Sequence, residues 1–384
     1  MKEEWREVHL RDICEFKYGK NLPESKRVPG KYKVYGSSSV TGTHNEFLVK
    51  GPGIIVGRKG TVGKVQYSKE DFFPIDTTYF VDIDSEQVNL LFLYYRLPLC
   101  GFEGMNSDAA IPGLNRTAAI NCKINLPPLP TQQKIANILS AYDDLIENNT
   151  KRIELLEEQA QLLYEEWFVR KKFPNYENTQ IDAETGLPEG WEKKGLDYLC
   201  SKITDGTHDS PKQVNDGCYL VTGKHLNKGI IDFESAYQIS IEDHEKIRKR
   251  SGIEKGDILF SNIGTLGNIG VVTEDFEYSC KNVVIFKKKN CFVSFLYCYL
   301  TNPINKIKLD NQSSGVAQKF YSLSFIRRFQ DFFPKEPLIK KFDEIVQPIF
   351  ELKYKLHQQN QILQEARDIL LPRLMMGIIE VEKA

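Results

Sequence analysis

The chain has 384 residues, 41% hydrophobic and 11% aromatic, with 51 basic and 52 acidic side chains for a formal net charge of −1. That length predicts two or three domains, and the apolar fraction excludes a disordered chain. Near-neutrality argues against an indiscriminate polyanion binder. Basic side chains nevertheless slightly outnumber acidic ones in residues 1–130 and 190–336, while acidic ones dominate 131–189.

The opening "MKEEWREVHLRD" is charged from its second residue and lacks the apolar segment of a signal peptide. The longest apolar run, Cys291 to Leu300, is about half the length that spans a bilayer. A cytosolic protein with no membrane partner is expected. The 8 cysteines form no CxxC pair and read as scattered buried thiols.

Residues 1–130 carry short apolar segments ("IIV", "KVQY", "TTYFVDI") punctuated by Gly, Pro, Asn and Asp, the pattern of a β-rich domain with some helix. Two polar stretches stand out within it. "KYKVYGSSSVTGTHN" offers Lys31, Lys33, Tyr35, Ser37, Ser38 and Thr43, and "GRKGTVGK" offers Arg58, Lys59 and Thr61. The glycine-rich "GRKGTVGK" has the composition of a phosphate loop but fails the Walker spacing. Five residues separate Gly57 from Gly63, and Val65 follows Lys64 where Ser or Thr is needed.

At "LPPLP" the period changes. From Thr131 to about Arg170 there is no Pro or Gly. Leu139, Ile146, Ile153, Ala160 and Trp167 fall seven apart, as do Tyr142, Asn149, Leu156 and Leu163. This heptad seam predicts a long helix over 131–172, roughly 60 Å if continuous. Residues 173–190, polar and proline-punctuated, read as a linker.

Residues 191–336 repeat the first block. "WREVHLRDIC" returns as "WEKKGLDYLC", and "GIIVGRKGTVGKV" as "DILFSNIGTLGNI". Polar candidates here are Thr207, His208, Lys212, Lys224, His225, Asn262, Thr265, Gln318 and Lys319. "HEKIRKR", His244 to Arg250, reads as a solvated helix face. Residues 337–384 repeat the helical connector, "LLEEQAQLL" returning as "ILQEARDIL". Ile349, Leu356, Leu363 and Leu370 form one set of its seam; Val346, Lys353, Asn360, Arg367 and Leu374 form the other. Asn149 and Asn360 suit either buried polar positions that fix register or solvated ones.

The expected fold is therefore α+β: two β-rich globular domains joined by two long antiparallel helices, with a pseudo-two-fold internal repeat. Such a chain would hold two similar domains at the ends of a rod, the geometry of a ruler for two half-sites on a duplex. Arg, Lys, Asn, Ser and Thr on loops are the residue types that read groove edges and contact phosphates. No HExxH, Gly-x-Ser-x-Gly or Pro-Asp pattern occurs, and "NLPPLP" departs from the Asn-Pro-Pro-aromatic motif of amino-methyltransferases. The chain reads as non-catalytic, without metal or cofactor of its own.

The succession of a Trp-led block, "IPGLNRTAAINCKINLPPLPTQQKIANIL", a long helix, "GLPEGW", a second block and a second helix resembles the specificity subunit of type I restriction–modification systems. The central "LPPLPTQQKIANILSAYDDLIENNTKRIELLEEQAQLLYEEWF" is its most specific part. The resemblance implies two target recognition domains, each reading half of a split double-stranded DNA sequence, with a helical spacer between them. It also implies two modification subunits that bind S-adenosylmethionine, and restriction subunits that use ATP and Mg. Two other readings stay open: a coiled-coil adaptor that binds only proteins, and a stand-alone methyltransferase or nuclease.

Overall fold

The computed structural model describes residues 5–84, 86–105, 113–289, 292–312 and 320–381. Gln318 and Lys319 lie outside the described residues. The chain divides into two compact units, Met1–Asn148 with Asn360–Ala384, and Asn149–Gln359.

The first unit contains β1 (Arg6–His9), β2 (Cys14–Tyr18), β3 (Tyr32–Tyr35), β4 (Val40–His44), β5 (Gly53–Gly57), β6 (Val65–Ser68), β7 (Phe72–Pro74), β8 (Thr78–Ile83) and β9 (Lys123–Leu126). Helices α1 (Leu90–Arg96) and α2 (Arg116–Ile120) precede the long α3 (Leu129–Tyr164). A four-stranded sheet runs β2-β8-β5-β6, a three-stranded sheet β4-β3-β7, and β1 pairs with β9. The apolar run "GIIVG" is buried at all its positions because β5 is an interior strand, with Ile54 opposite Val81 and Val56 opposite Tyr79. Phe16, Ile54, Phe92 and Leu93 form the core, which also takes Ile135, Ala136 and Leu139 of α3.

The second unit contains β10 (Glu192–Gly195), β11 (Lys202–Asp205), β12 (Gln213–Val214), β13 (Cys218–Thr222), β14 (Leu226–Asn227), β15 (Ile230–Ile231), β16 (Gln238–Ile239), β17 (Ile258–Phe260), β18 (Ile269–Val271), β19 (Ser279–Lys281), β20 (Val284–Lys287) and β21 (Gln330–Phe333). Its helices are α4 (Ile241–Ser251), α5 (Val293–Thr301), α6 (Pro303–Gln312), α7 (Leu323–Arg328) and the long α8 (Glu336–Met375). The sheet β11-β20-β17-β18 repeats the strand order of the first unit, with Ile203, Phe286 and Ile258 aligned across it. Aromatic packing is denser here: Phe295 lies 4.8 Å from Phe168 and 6.1 Å from Phe342.

Each unit holds part of both long helices, and the heptad seam is real in each. Leu139, Asn149, Ala160, Trp167, Val346, Lys353, Leu356, Asn360 and Leu374 are buried; Tyr142, Ile146, Ile153, Leu156, Leu163, Ile349, Leu363, Arg367 and Leu370 are half-buried. In the first unit Arg367 Nη1 donates to Asp143 Oδ1 at 2.5 Å and Asn360 Nδ2 to the Ile146 carbonyl at 3.5 Å. Later residues of α3 thus meet earlier residues of α8, so the helices run antiparallel. In the second unit Lys353 pairs with Glu157. Aligning the repeated segments Leu155–Leu163 and Ile362–Leu370 places Phe350 and Ala160 at the positions of Asp143 and Arg367. The same alignment places Gln364 and Ile146 at those of Glu157 and Lys353. The ion pairs therefore break the internal symmetry, which disfavours alternative registers between two similar helices.

Residues 165–169 continue α3 as a wider π turn, and the stretch 173–190 holds a 3₁₀ turn at Tyr176–Asn178. Among the described residues no helix is long and apolar enough to cross a membrane.

Candidate nucleic-acid interface

The glycine-rich stretch forms the turn between β5 and β6. Gly57 N donates to the Lys64 carbonyl at 2.8 Å, Gly63 N to that of Gly57 at 2.8 Å, and Val62 N to that of Gly60 at 3.0 Å. In the second unit Ser261 N donates to Asn268 at 2.8 Å, Gly267 N to Ser261 at 2.9 Å, and Leu266 N to Gly264 at 3.0 Å. One backbone design serves both units. It needs glycine because Gly60, Gly63, Gly264 and Gly267 have φ of 81°, 78°, 76° and 84°.

Another turn packs on this one in each unit. Gln66 Nε2 donates to the Gly36 carbonyl at 2.8 Å, and Asn268 Nδ2 to the Gly223 carbonyl at 3.3 Å. This brings Ser37 against Gly57 and Gly60, and Gly223, which precedes exposed Lys224, against exposed Thr265. Ser38, Lys59 and Thr61 are exposed at the same end of the first unit. Lys31, Lys33 and Thr43 lie back along the β3–β4 hairpin, exposed, with Lys33 opposite Thr43.

What differs is the side chains. Arg58 is anchored by its backbone, its N–H donating to the Thr77 carbonyl at 2.9 Å and its carbonyl accepting from Leu114 N at 2.8 Å. Its guanidinium lies over the Tyr18 ring at 5.1 Å and near that of Tyr79 at 6.0 Å. Arg116 reaches Tyr18 from α2 at 5.8 Å and pairs with Glu15 at 2.9 Å. Burial pushes the Tyr79 phenol up to about 12, assisted by its hydrogen bond with Tyr18. Two guanidiniums thus converge on an exposed tyrosine beside the turn. Sequence reasoning missed Tyr18 and Arg116, because β2, the turn and α2 meet only in the folded unit. The available signal was a large aromatic beside glycine at a strand end, "KYGK".

In the second unit His208 is exposed between Asp205 (Nε2 to Oδ2, 2.8 Å) and Asn282 (Nδ1 to Oδ1, 3.0 Å). Arg250 donates to the Gly206 carbonyl and lies 3.6 Å from Asp205 Oδ1. Lys281 donates to the Ser210 hydroxyl, and Lys212 is exposed nearby in sequence.

Four expected contacts are corrected. Tyr35 is 5% exposed, edge-on to Phe72 in a small core. Thr207 is buried, with its hydroxyl accepting from Asp209 N. His225 is buried, and its Nδ1 accepts from Thr222 N at 2.9 Å. Asn262 is buried, and its amide donates to the Tyr321 carbonyl at 2.8 Å. Each sits in a polar-looking stretch of sequence, but its side chain packs into the fold instead of facing solvent. In the helix "HEKIRKR" Lys246, Arg248, Lys249 and Arg250 are exposed and Glu245 and Ile247 half-buried, while His244 is buried against Ser279 and Glu277. His244, Glu245 and Glu277 bring ligand-type atoms within 4.8 Å. Arg248 already pairs with Glu277 at 2.9 Å and Glu245 at 3.5 Å, so a guanidinium neutralises the acids.

Residues 2–158 match the family described as "Type I restriction modification DNA specificity domain". The chain is 30% identical over 292 residues to the type I restriction enzyme MjaIX specificity subunit of Methanocaldococcus jannaschii, covering 73% of this chain. It is 24% identical over 322 residues to the EcoBI specificity subunit of Escherichia coli, covering 78% of this chain. The matched segments span 66% of each of these relatives. The fold is similar to the crystal structure of a type I restriction–modification S subunit from M. genitalium. That similarity has TM-score 0.64 at 19% identity, covering 99% of this chain and 98% of that one.

Proposed function

The chain belongs to the specificity-subunit family of type I restriction–modification systems, and we propose that its two units each read one half of a bipartite DNA target. One observation carries the reading. The same backbone turn is built twice, with different side chains at its tip: Arg58 and Lys59 in one unit stand where the other has Asn262 and Ile263, and Lys224 lies on the turn packed beside the second. A rigid frame with interchangeable side chains suits two readers of unlike half-sites.

In this reading the chain supplies target choice and leaves the chemistry to others. Two modification subunits carrying S-adenosylmethionine methylate the target, and restriction subunits use ATP and Mg. Exposed Leu155 and Leu162, two turns apart on one side of α3, offer those subunits an apolar docking face.

The test is binding of the full chain, alone and with its modification subunits, to duplex DNA across a salt series. Sequence-selective binding that weakens steeply with salt is expected. Salt-insensitive or absent binding would favour the protein-only adaptor, and methyl transfer by the chain alone would favour an enzyme.

A further inference from the structure

We propose that Tyr18 is the positioning residue of the first unit's reader: a stacking platform that fixes the Arg58 guanidinium to read a guanine edge, while Arg116 faces the adjoining phosphate. This rests on the DNA-recognition reading and assigns residues within it.

Tyr18 ends β2, opposite Tyr79 in the register of the sheet, with ring centroids 5.0 Å apart. Although packed against Tyr79 and approached by two guanidiniums, the residue stays 50% exposed. Arg58 emerges from a backbone held on both sides, so its guanidinium begins from a fixed point. A planar guanidinium laid over a ring keeps its edge N–H groups free, and those donors match guanine O6 and N7.

The charge balance agrees. Among the described residues no carboxylate lies within ion-pair distance of Arg58. Arg116 is neutralised by Glu15 on one side only, and its Nε is buried without a hydrogen-bond partner. The cluster therefore presents net positive charge around a half-exposed aromatic side chain, an arrangement that attracts a polyanion carrying flat bases.

The second unit shows that this cluster is not demanded by the fold. Phe16, Val81 and Ile54 align across one sheet as Ile203, Phe286 and Ile258 align across the other. That correspondence puts Asp205 at the place of Tyr18, and the shared turn puts Asn262 at the place of Arg58. Asp205 binds His208 and Asn262 turns inward, so the stacked arginine belongs to the first unit alone of the two.

Full-length chain, with its modification subunits, is used to select duplexes from a randomised pool. The wild type is expected to enrich a bipartite motif with guanine at one position of one half-site. Tyr18→Ala should reduce that guanine preference about tenfold or more, Arg58→Lys should do the same, and Tyr18→Phe should retain it. Arg116→Ala should weaken all selected duplexes alike and lower the salt dependence by about one ion. The other half-site, unchanged in the same selection, reports that each variant is folded. A wild-type motif left unaltered by Tyr18→Ala or by Arg58→Lys overturns the assignment. A wild type that enriches no sequence overturns the DNA-recognition reading itself.

Discussion

Lys353 of α8 is only 1% exposed, and its ammonium donates to the Glu157 carboxylate of α3. It also donates to the Lys228 carbonyl at 2.6 Å and to Tyr297 Oη at 3.3 Å, while Tyr297 in turn donates to Glu157 at 2.6 Å. The network is complete, so removing one member strands the others. Lys353→Met should cost about 3–5 kcal/mol in urea unfolding, whereas Lys353→Met with Glu157→Leu should recover most of that loss. A single variant within about 1 kcal/mol of the wild type would show that the pair carries no such role.

Asp343 acts across elements in the second unit. Its Oδ1 accepts from Ser294 N at 2.9 Å and Phe295 N at 3.1 Å, capping α5, whose own first residues supply no side-chain cap. Burial pushes the carboxyl from 3.8 up to about 6. The folded state then holds the proton more tightly than the unfolded state. The stabilisation is complete below about pH 4 and is lost as pH rises through about 6. Asp343→Asn keeps the acceptor and removes the titration. The stability difference between wild type and variant should fall by about 2 kcal/mol from pH 4 to pH 7; a flat difference would contradict this.

Thiol reactivity should be concentrated at one position. Hydrogen bonding from Cys100, with Arg96 also acting, lowers Cys122 to about 7 against the opposing effect of burial. Burial pushes Cys14 and Cys200 up to about 12. Limited iodoacetamide treatment at about pH 7.5 followed by peptide mass mapping should label Cys122 first among the described cysteines. Earlier labelling of Cys14 or Cys200 would be inconsistent with this packing.

The shared turn predicts unequal costs for equivalent substitutions. A Cβ on Gly63 would lie 2.7 Å from Phe102 Cβ, whereas at Gly267 it meets only the flexible end of Lys306 at 3.3 Å. Both glycines have positive φ, so Gly267→Ala should cost about 1 kcal/mol from the backbone alone, and Gly63→Ala distinctly more. Thermal unfolding of the two variants compares them. Equal shifts would mean that the neighbouring turn at Phe102 yields freely.

Much of this organisation was legible in the sequence. The repeats, the change from short apolar runs to heptads, and the seam residues from Leu139 to Leu374 follow from periodicity, because burial on a helix face imposes spacing directly. The glycine turn was legible because positive φ restricts residue type. The reading side chains were only partly so. Lys59 and Thr265 do stand exposed at the turns and Arg58 is half-buried there, but Asn262 and His225, in equally polar loops, are consumed by Tyr321 and Thr222. Tyr18 and Arg116 lie 98 positions apart and meet only through the folding of β2 against α2. Polarity marks a loop; direction comes from tertiary structure. The seam's ionic positions were visible as Lys353 and Arg367, but their partners Glu157 and Asp143 were not, since they flank the seam.

The central claim, that two structurally repeated units read two different half-sites, is tested most directly by mapping methylated sites in cells expressing this chain with its modification subunits. Wild type should give a bipartite motif with a fixed gap. Arg58→Ala should alter one half of that motif, and a Lys224→Ala/Thr265→Ala double variant should alter only the other, with the gap preserved in both. A motif that is continuous, or whose halves change together in every variant, would contradict the account.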